Sequence, residues 1–245
     1  MNFPEFSVSN QNRDMSKKFC YFGLLVCCCF HGIFAQVSKD SLVIQSRFRY
    51  GNKPLELHAK YISASDTLEI ETFKYYISNI KVQYDDKTIV KPKNNYHLVD
   101  IENPASLSIP IEKKQNKLIS KVTFDIGVDS IASVSGALGG DLDPAKGMYW
   151  AWQSGYINVK IEGKSNSCKT RKNQFHFHLG GYLKPNCALR TITLEPKKPT
   201  ENVLIAVDLK ELFSSVALST TNSIMIPGKQ AMAMADLVAK MFSIE

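Results

Sequence analysis

Two histidines stand two residues apart in the segment QFHFHLGG at positions 174–181. In a β-strand, residues i and i+2 lie on the same face about 7 Å apart, so His176 and His178 would share one face and Phe175 and Phe177 the other. Neutral imidazole is a good ligand for zinc and copper. We therefore predict that the phenylalanines enter the core and that the histidines contribute to a metal site. A hydrogen-bonded pair of polar residues on neighbouring strands would give the same pattern.

A third imidazole would complete a three-coordinate site. His58 lies in LELHAKY, where apolar and polar residues alternate as in a strand, and it is the third ligand we predict. Two or three imidazoles without a thiolate suit Cu(I), Cu(II) or Zn(II). Because protonated histidine cannot ligate, binding should weaken as the pH falls through the imidazole pKa of about 6.5.

Both tryptophans of the chain, Trp150 and Trp152, stand in GMYWAWQSGY at 147–156. In a strand they would share a face with Met148. Three large apolar side chains on one face are typical of a sandwich core, so a structural role is the first expectation for this block.

The N-terminus has the pattern of a secretory signal. Lys17 and Lys18 precede the apolar run FCYFGLLVCCCFHGIFA, which ends at Ala35. The run is shorter than the roughly 20 residues that cross a bilayer. We predict a signal peptide at 1–35, with Met15 as a possible true start, and a protein exported to the periplasm or the medium. An uncleaved anchor is the alternative.

The cysteines follow from this assignment. Four of the six lie in the apolar run, which leaves Cys168 and Cys187 in the exported part. Two cysteines in an oxidising compartment predict a disulfide. It would close a loop of about 20 residues, a constraint worth roughly 3 kcal/mol. A metal site that uses a thiolate is the weaker alternative.

Charge and motifs exclude several functions. The net charge is +7, but the basic residues are scattered and no basic patch is interleaved with aromatic residues, which argues against nucleic acid binding. No G-x-S-x-G, P-loop or H-E-x-x-H motif occurs, and we predict that the protein is not an enzyme.

Strand patterns dominate the rest of the chain. Seven segments show alternation or β-branched and aromatic runs separated by turn residues: 41–50, 67–84, 117–128, 156–163, 174–181, 189–195 and 202–209. One helical pattern follows Pro227 and Gly228, with apolar residues three and four apart. The sequence predicts one all-β domain at 36–245, an antiparallel β-sandwich with a C-terminal helix.

The order of several motifs resembles the MbnP-like family of secreted copper-binding-type proteins, named after a member associated with methanobactin. The resemblance spans roughly residues 40–243 and rests on the following segments: FKYYISNIKV, YHLVD, VTFDIGVD, LDPAKGMYWAWQSGYINVKIEG, FHFHLGG and IPGKQAMAMADLVAKMF. It implies an exported β-sandwich and a neighbour of the di-haem peroxidase type that oxidises a tryptophan to kynurenine. It also implies copper held by histidines and that kynurenine. No tryptophan precedes Trp150 here, so Trp150 and Trp152 are the candidates for modification.

Together these observations predict an exported, non-catalytic protein that binds copper, or zinc instead, for acquisition or trafficking. Two other functions fit the same sequence. One is an interaction module without a metal, which would use the glycine-rich segment 129–147. The other is a substrate of a tryptophan-oxidising di-haem peroxidase.

Overall fold

The structure is a computed structural model that describes residues 41–63, 66–153 and 155–245. The predicted signal peptide lies outside these residues and stays a prediction. The described strands are β1 Ser41–Tyr50, β2 Lys53–Pro54, β3 Lys60–Ser63, β4 Asp66–Tyr84, β5 Ile89–Val90, β6 Tyr96–Asp100, β7 Ser108–Glu112, β8 Ile119–Ile126, β9 Tyr149–Trp150, β10 Gly155–Ser165, β11 Gln174–Gly180, β12 Arg190–Leu194, β13 Val203–Asp208, β14 Ser223–Ile224 and β15 Phe242–Ile244.

Helices are few and short among the described residues. The α-helices are α1 Ser130–Val134, α2 Leu209–Phe213 and α3 Lys229–Val238, and 3-10 turns occupy Pro104–Leu107, Gly140–Leu142, Pro144–Lys146, Arg171–Asn173 and Ala239–Met241. No helix in the described part of the chain is long and apolar enough to cross a membrane.

The strands form two sheets. The small sheet has the order β15-β13-β1-β2, with β7 also paired to β1. The large sheet has the order β12-β8-β4-β10-β11-β14, with β3, β5 and β6 on β4 and β9 on β10. Most pairs are antiparallel, but β1 with β13 and β11 with β14 are parallel. The predicted all-β sandwich is confirmed, with these two parallel pairs added.

The main core lies between the two sheets. Strand β1 alternates buried and exposed residues, so Ile44 and Phe48 face the large sheet, where Phe48 packs edge-on against Phe73 with 5.4 Å between ring centroids. Tyr75 enters the same core and its hydroxyl lies 3.2 Å from that of Ser46. Apolar burial on this scale is the dominant stabilising term of the fold.

The outer face of the large sheet is divided into two ends. Successive residues of a strand point to opposite faces, so Tyr76 points away from the main core that holds Tyr75. Tyr76 joins a second cluster whose buried members are Leu98, Val128, Ala132, Leu142, Met148, Trp150, Tyr156 and Ile157. We call this the aromatic end. The opposite end carries charged and titratable residues of β4, β10 and β11, namely Glu69, Glu71, Glu162, Lys164 and His178, and we call it the polar end.

The predicted C-terminal helix is present as α3. Its buried residues Met234 and Val238 pack into the main core, as the spacing indicates. The helix ends at Val238, after which the chain turns at 239–241 and continues as β15. That strand pairs with β13 and brings Phe242 to 5.4 Å from the ring of Tyr75.

Candidate metal centre

The alternation of inward and outward side chains in β10 and β11 determines which residues form the polar end. In β11, Phe175 and Phe177 are fully buried in the main core, while His176 and His178 lie on the outer face. The predicted division of this segment between two faces is therefore confirmed. In β10, Ile161 is buried, while Lys160, Glu162 and Lys164 lie outward and only partly buried.

His178 is hydrogen-bonded to Glu162. It is 8% exposed, and its Nε2 lies 2.6 Å from Oε1 of Glu162. The hydrogen bond to His178 is the main cause that lowers the pKa of Glu162 to about 2, and the ammonium of Lys160 at 3.6 Å adds to it. This arrangement matches the hydrogen-bonded cross-strand pair that was the alternative reading of the sequence. Within the described residues, His176 and His178 belong to no close group of three metal-ligating side chains.

His58 lies in a turn rather than in the strand that LELHA suggested. Its φ of 64° is in the left-handed region, which few non-glycine residues adopt. The backbone N–H of His58 donates to the carbonyl of Ile70 in β4 at 2.8 Å, which fixes the turn against the sheet. The imidazole is 65% exposed, and its Nδ1 lies 3.7 Å from Oε1 of Glu69.

His58, Glu69 and Glu71 form the candidate metal centre, which we call the His58 cluster. One potential ligand atom from each residue lies within 4.8 Å of the others. Imidazole nitrogen and carboxylate oxygen are both common ligands of divalent zinc. The side chains of Glu69 and Glu71 are largely shielded by the sheet, at 25% and 23% exposure.

A β-bulge in β4 helps to place the two glutamates. Glu162 of β10 pairs with Thr72 and Gly163 pairs with Ile70, so Glu71 has no partner residue across the ladder. Bulges of this kind turn a side chain and increase the local twist. The segment TLEIET shows Glu69 and Glu71 two residues apart, and that spacing was the signal that the sequence analysis missed.

Lys164 shares this cluster. Its Nζ contacts Oε1 of Glu71 at hydrogen-bond distance and lies 3.8 Å from Oε1 of Glu69. The bond to Glu71 raises the pKa of Lys164. A protonated ammonium therefore stands beside the carboxylates that a metal ion would use, and the ion would have to displace it.

The three predicted histidine ligands do not meet at one point. Strand β3 pairs with residues 66–69 of β4 and β10 pairs with residues 68–75, so these two strands lie on opposite edges of β4. His58 is on the β3 side, whereas His176 and His178 are beyond β10. Three strand spacings, or about 14 Å of backbone, separate them. The predicted site of three histidines thus divides into the His58 cluster and the His178–Glu162 pair.

The two tryptophans have different surroundings. Trp150 is 6% exposed, but it belongs to the second cluster on the outer face of the large sheet and not to the sandwich core predicted for it. Trp152 is 63% exposed, because β9 ends at Trp150 and residues 151–153 form a turn. The expectation that both fill the sandwich core is therefore wrong. Their rings remain 6.0 Å apart.

Cys168 and Cys187 are free thiols in the structure, the first buried and the second partly exposed. Burial raises the pKa of the Cys168 thiol, whose Sγ lies 3.6 Å from the carbonyl of Leu218. The predicted disulfide between them is not formed here. A protonated, buried thiol is a poor nucleophile for thiol–disulfide exchange.

Comparison with known proteins gives the same assignment as the motifs. The family model described as MbnP matches residues 39–226. The solved structure of MbnP from Methylosinus trichosporium superposes with a TM-score of 0.55 at 15% sequence identity, over 73% of this chain and 79% of that one. No curated protein sequence matches the chain. The structural likeness shows the shared fold, the family model covers most of the chain, and the chain therefore belongs to the MbnP family.

Proposed function

We propose that this protein is an exported, non-catalytic metal-binding protein that takes up or carries copper, with zinc as the alternative ion. The observation that carries the proposal is the His58 cluster, where three ligand atoms from three residues approach within 4.8 Å. Export is supported by the signal pattern at 17–35. Copper is supported by the resemblance of the motifs to a family of copper-binding-type proteins.

The ligand set favours a divalent ion. One imidazole and two carboxylates offer nitrogen and oxygen without the soft sulfur that selects Cu(I). For such ligands Cu(II) binds more tightly than Zn(II) in the general order of divalent metals. Three protein ligands leave at least one position of the ion to water or to an incoming ligand, which suits a protein that passes the ion on.

The proposal is tested by titrating the purified protein with Cu(II), Zn(II) and Cu(I). We expect Cu(II) to bind most tightly at one site, and His58→Ala or Glu71→Gln to weaken it by at least about tenfold, because each removes one of three ligands. The matched control is His178→Ala, which removes a histidine of the same face outside the cluster. If His178→Ala abolishes binding while His58→Ala leaves it unchanged, the ion is held beside His178 and not at the His58 cluster, and the proposal fails.

A second function is favoured by one observation. Helix α1, in the segment 129–147, exposes Ile131 and Val134, which are three residues apart and so lie on the same side of the helix. Exposed apolar side chains on a capped, fixed loop suit a protein contact. An interaction module predicts that Ile131→Ser with Val134→Ser abolishes a pull-down of the partner and leaves metal binding intact.

A further inference from the structure

A pocket of about 330 Å³ opens at the aromatic end of the large sheet, away from the His58 cluster. The rings of Trp150 and Tyr182 and the apolar side chains of Leu183 and Pro227 line it. Its size is near the lower limit of known small-molecule sites, and its apolar walls are typical of them.

Close backbone contacts hold the pocket in shape. Gly181 has a φ of +119°, and a Cβ there would lie 2.3 Å from the carbonyl oxygen of Asn186 and 3.0 Å from Cβ of Pro227. At Gly180 a Cβ would lie 2.6 Å from the ring of Trp150. The N–H of Ala188 donates to the carbonyl of Gly181 at 2.9 Å and closes the loop. The main chain at Gly180 and Gly181, beside the pocket, is therefore closely packed and held by a hydrogen bond.

The polar groups that line the pocket favour a negatively charged ligand. Among the described residues that line it, Lys184 carries the only charge and none is acidic. Gln153 and Asn186 add side-chain amides, which can donate hydrogen bonds. Because Lys184 is exposed, its ammonium attracts a carboxylate with the modest strength of a surface ion pair.

We propose that this pocket binds a small aromatic acid, with its ring against Tyr182 and Leu183 and its carboxylate on Lys184. The offset stacking of rings favours an aromatic ligand over an aliphatic one of the same size. This site shares no residue with the His58 cluster, so it stands or falls independently of metal binding.

The test uses phenylacetate as the probe, phenylacetamide as its neutral counterpart and acetate as the acid without a ring. Both tryptophans of the chain lie at this pocket, Trp150 in its wall and Trp152 packed against Trp150, so tryptophan fluorescence reports on it directly. Saturation-transfer NMR on the ligand gives a second readout. The variants are Lys184→Gln, Leu183→Ala and, as a control, Lys198→Gln, which changes an exposed lysine between β12 and β13 that does not line the pocket.

We expect phenylacetate to bind saturably, phenylacetamide about two- to fivefold more weakly, and acetate without effect. In Lys184→Gln the acid and the amide should bind equally, because the charge that distinguishes them is gone. Leu183→Ala should weaken both, and it cannot unfold the chain because Leu183 is exposed. Lys198→Gln should match the unsubstituted protein. Absence of saturable binding in both readouts, or an acid preference that survives Lys184→Gln, would overturn the proposal.

Discussion

The aromatic end and the polar end of the outer face are built on the same strands, β4 and β10, but their side chains are shielded from water to different extents. At the aromatic end, the chain around 128–150 covers the sheet and buries Trp150 and Tyr156. At the polar end the side chains remain partly in water and satisfy one another in pairs, as in Lys164 with Glu71 and His178 with Glu162. Partly hydrated pairs can exchange partners at small cost, whereas packed rings cannot. The polar end is therefore suited to taking up an ion and the aromatic end to keeping a fixed pocket.

The largest effect is expected at Gly180, where the aromatic end is closely packed against Trp150. Gly180→Ala would place a Cβ 2.6 Å from both the ring of Trp150 and the carbonyl oxygen of Tyr156. Overpacking of this kind costs about 1–3 kcal/mol, and a backbone atom among the contacts predicts the upper part of that range. The free energy of unfolding from denaturant titration measures it.

Gly139→Ala is the control for that substitution. No atom lies within 4 Å of a Cβ at Gly139, and its φ of −93° suits any residue. Its unfolding free energy should change by less than about 0.5 kcal/mol. Equal stability of the two variants would mean that Trp150 moves aside freely, and the contrast between a fixed and an adaptable end would be lost.

A smaller effect, confined to low pH, is expected at the His178–Glu162 pair. The pKa of Glu162 is about 2 in the folded protein against an ordinary value of 4.5. A carboxyl whose pKa is lowered on folding stabilises the fold above its ordinary pKa, and that contribution is lost as the pH falls from 4.5 through about 2. Hydrogen bonds to charged groups contribute about 1.5–3 kcal/mol, and because Glu162 with its pKa of about 2 is still largely ionised at about pH 3, only part of this is lost there.

Glu162→Gln should therefore flatten the acid part of the stability curve. Denaturant titrations at neutral pH and at about pH 3 compare the variant with the unsubstituted protein. Glu102→Gln, which changes an exposed glutamate on a neighbouring segment, should leave the curve as it was. An unchanged acid dependence in Glu162→Gln would show that His178 does not rely on this carboxylate, and His178 would again be a candidate ligand.

Much of the fold could be predicted from the sequence, because period-2 alternation reports directly on a sheet with one buried face. The strands predicted at 41–50 and 174–181 are present at 41–50 and 174–180, and the burial of Phe175 and Phe177 was predicted from the same signal. The second cluster was not predicted, because it covers the outer face only where a distant segment returns to the sheet. Trp152 was misplaced for a related reason: alternation cannot show where a short strand ends.

The candidate site was predicted only in part. His58 was named as a ligand from an alternating pattern, yet it lies in a turn, and its partners come from β4 rather than from the strand with the two histidines. Glu69 and Glu71 could have been found from their two-residue spacing in TLEIET, whereas no local sequence pattern announces the bulge beside them. The order of strands in the sheet cannot be read from a local pattern. Here β4 and β10 lie between the His58 side of the sheet and β11, which carries His178.

The central claim is that the ion binds at the His58 cluster in the place where Lys164 now pairs with Glu71. The most direct measurement is the Cu(II) affinity of Lys164→Met, determined by competition with a chelator of known affinity beside the unsubstituted protein. Removing the competing ammonium while keeping the length of the side chain should tighten binding by about two- to fivefold, the range expected for an exposed ion pair. Unchanged or weaker binding in Lys164→Met would contradict the account, because the ion would then bind without displacing this lysine.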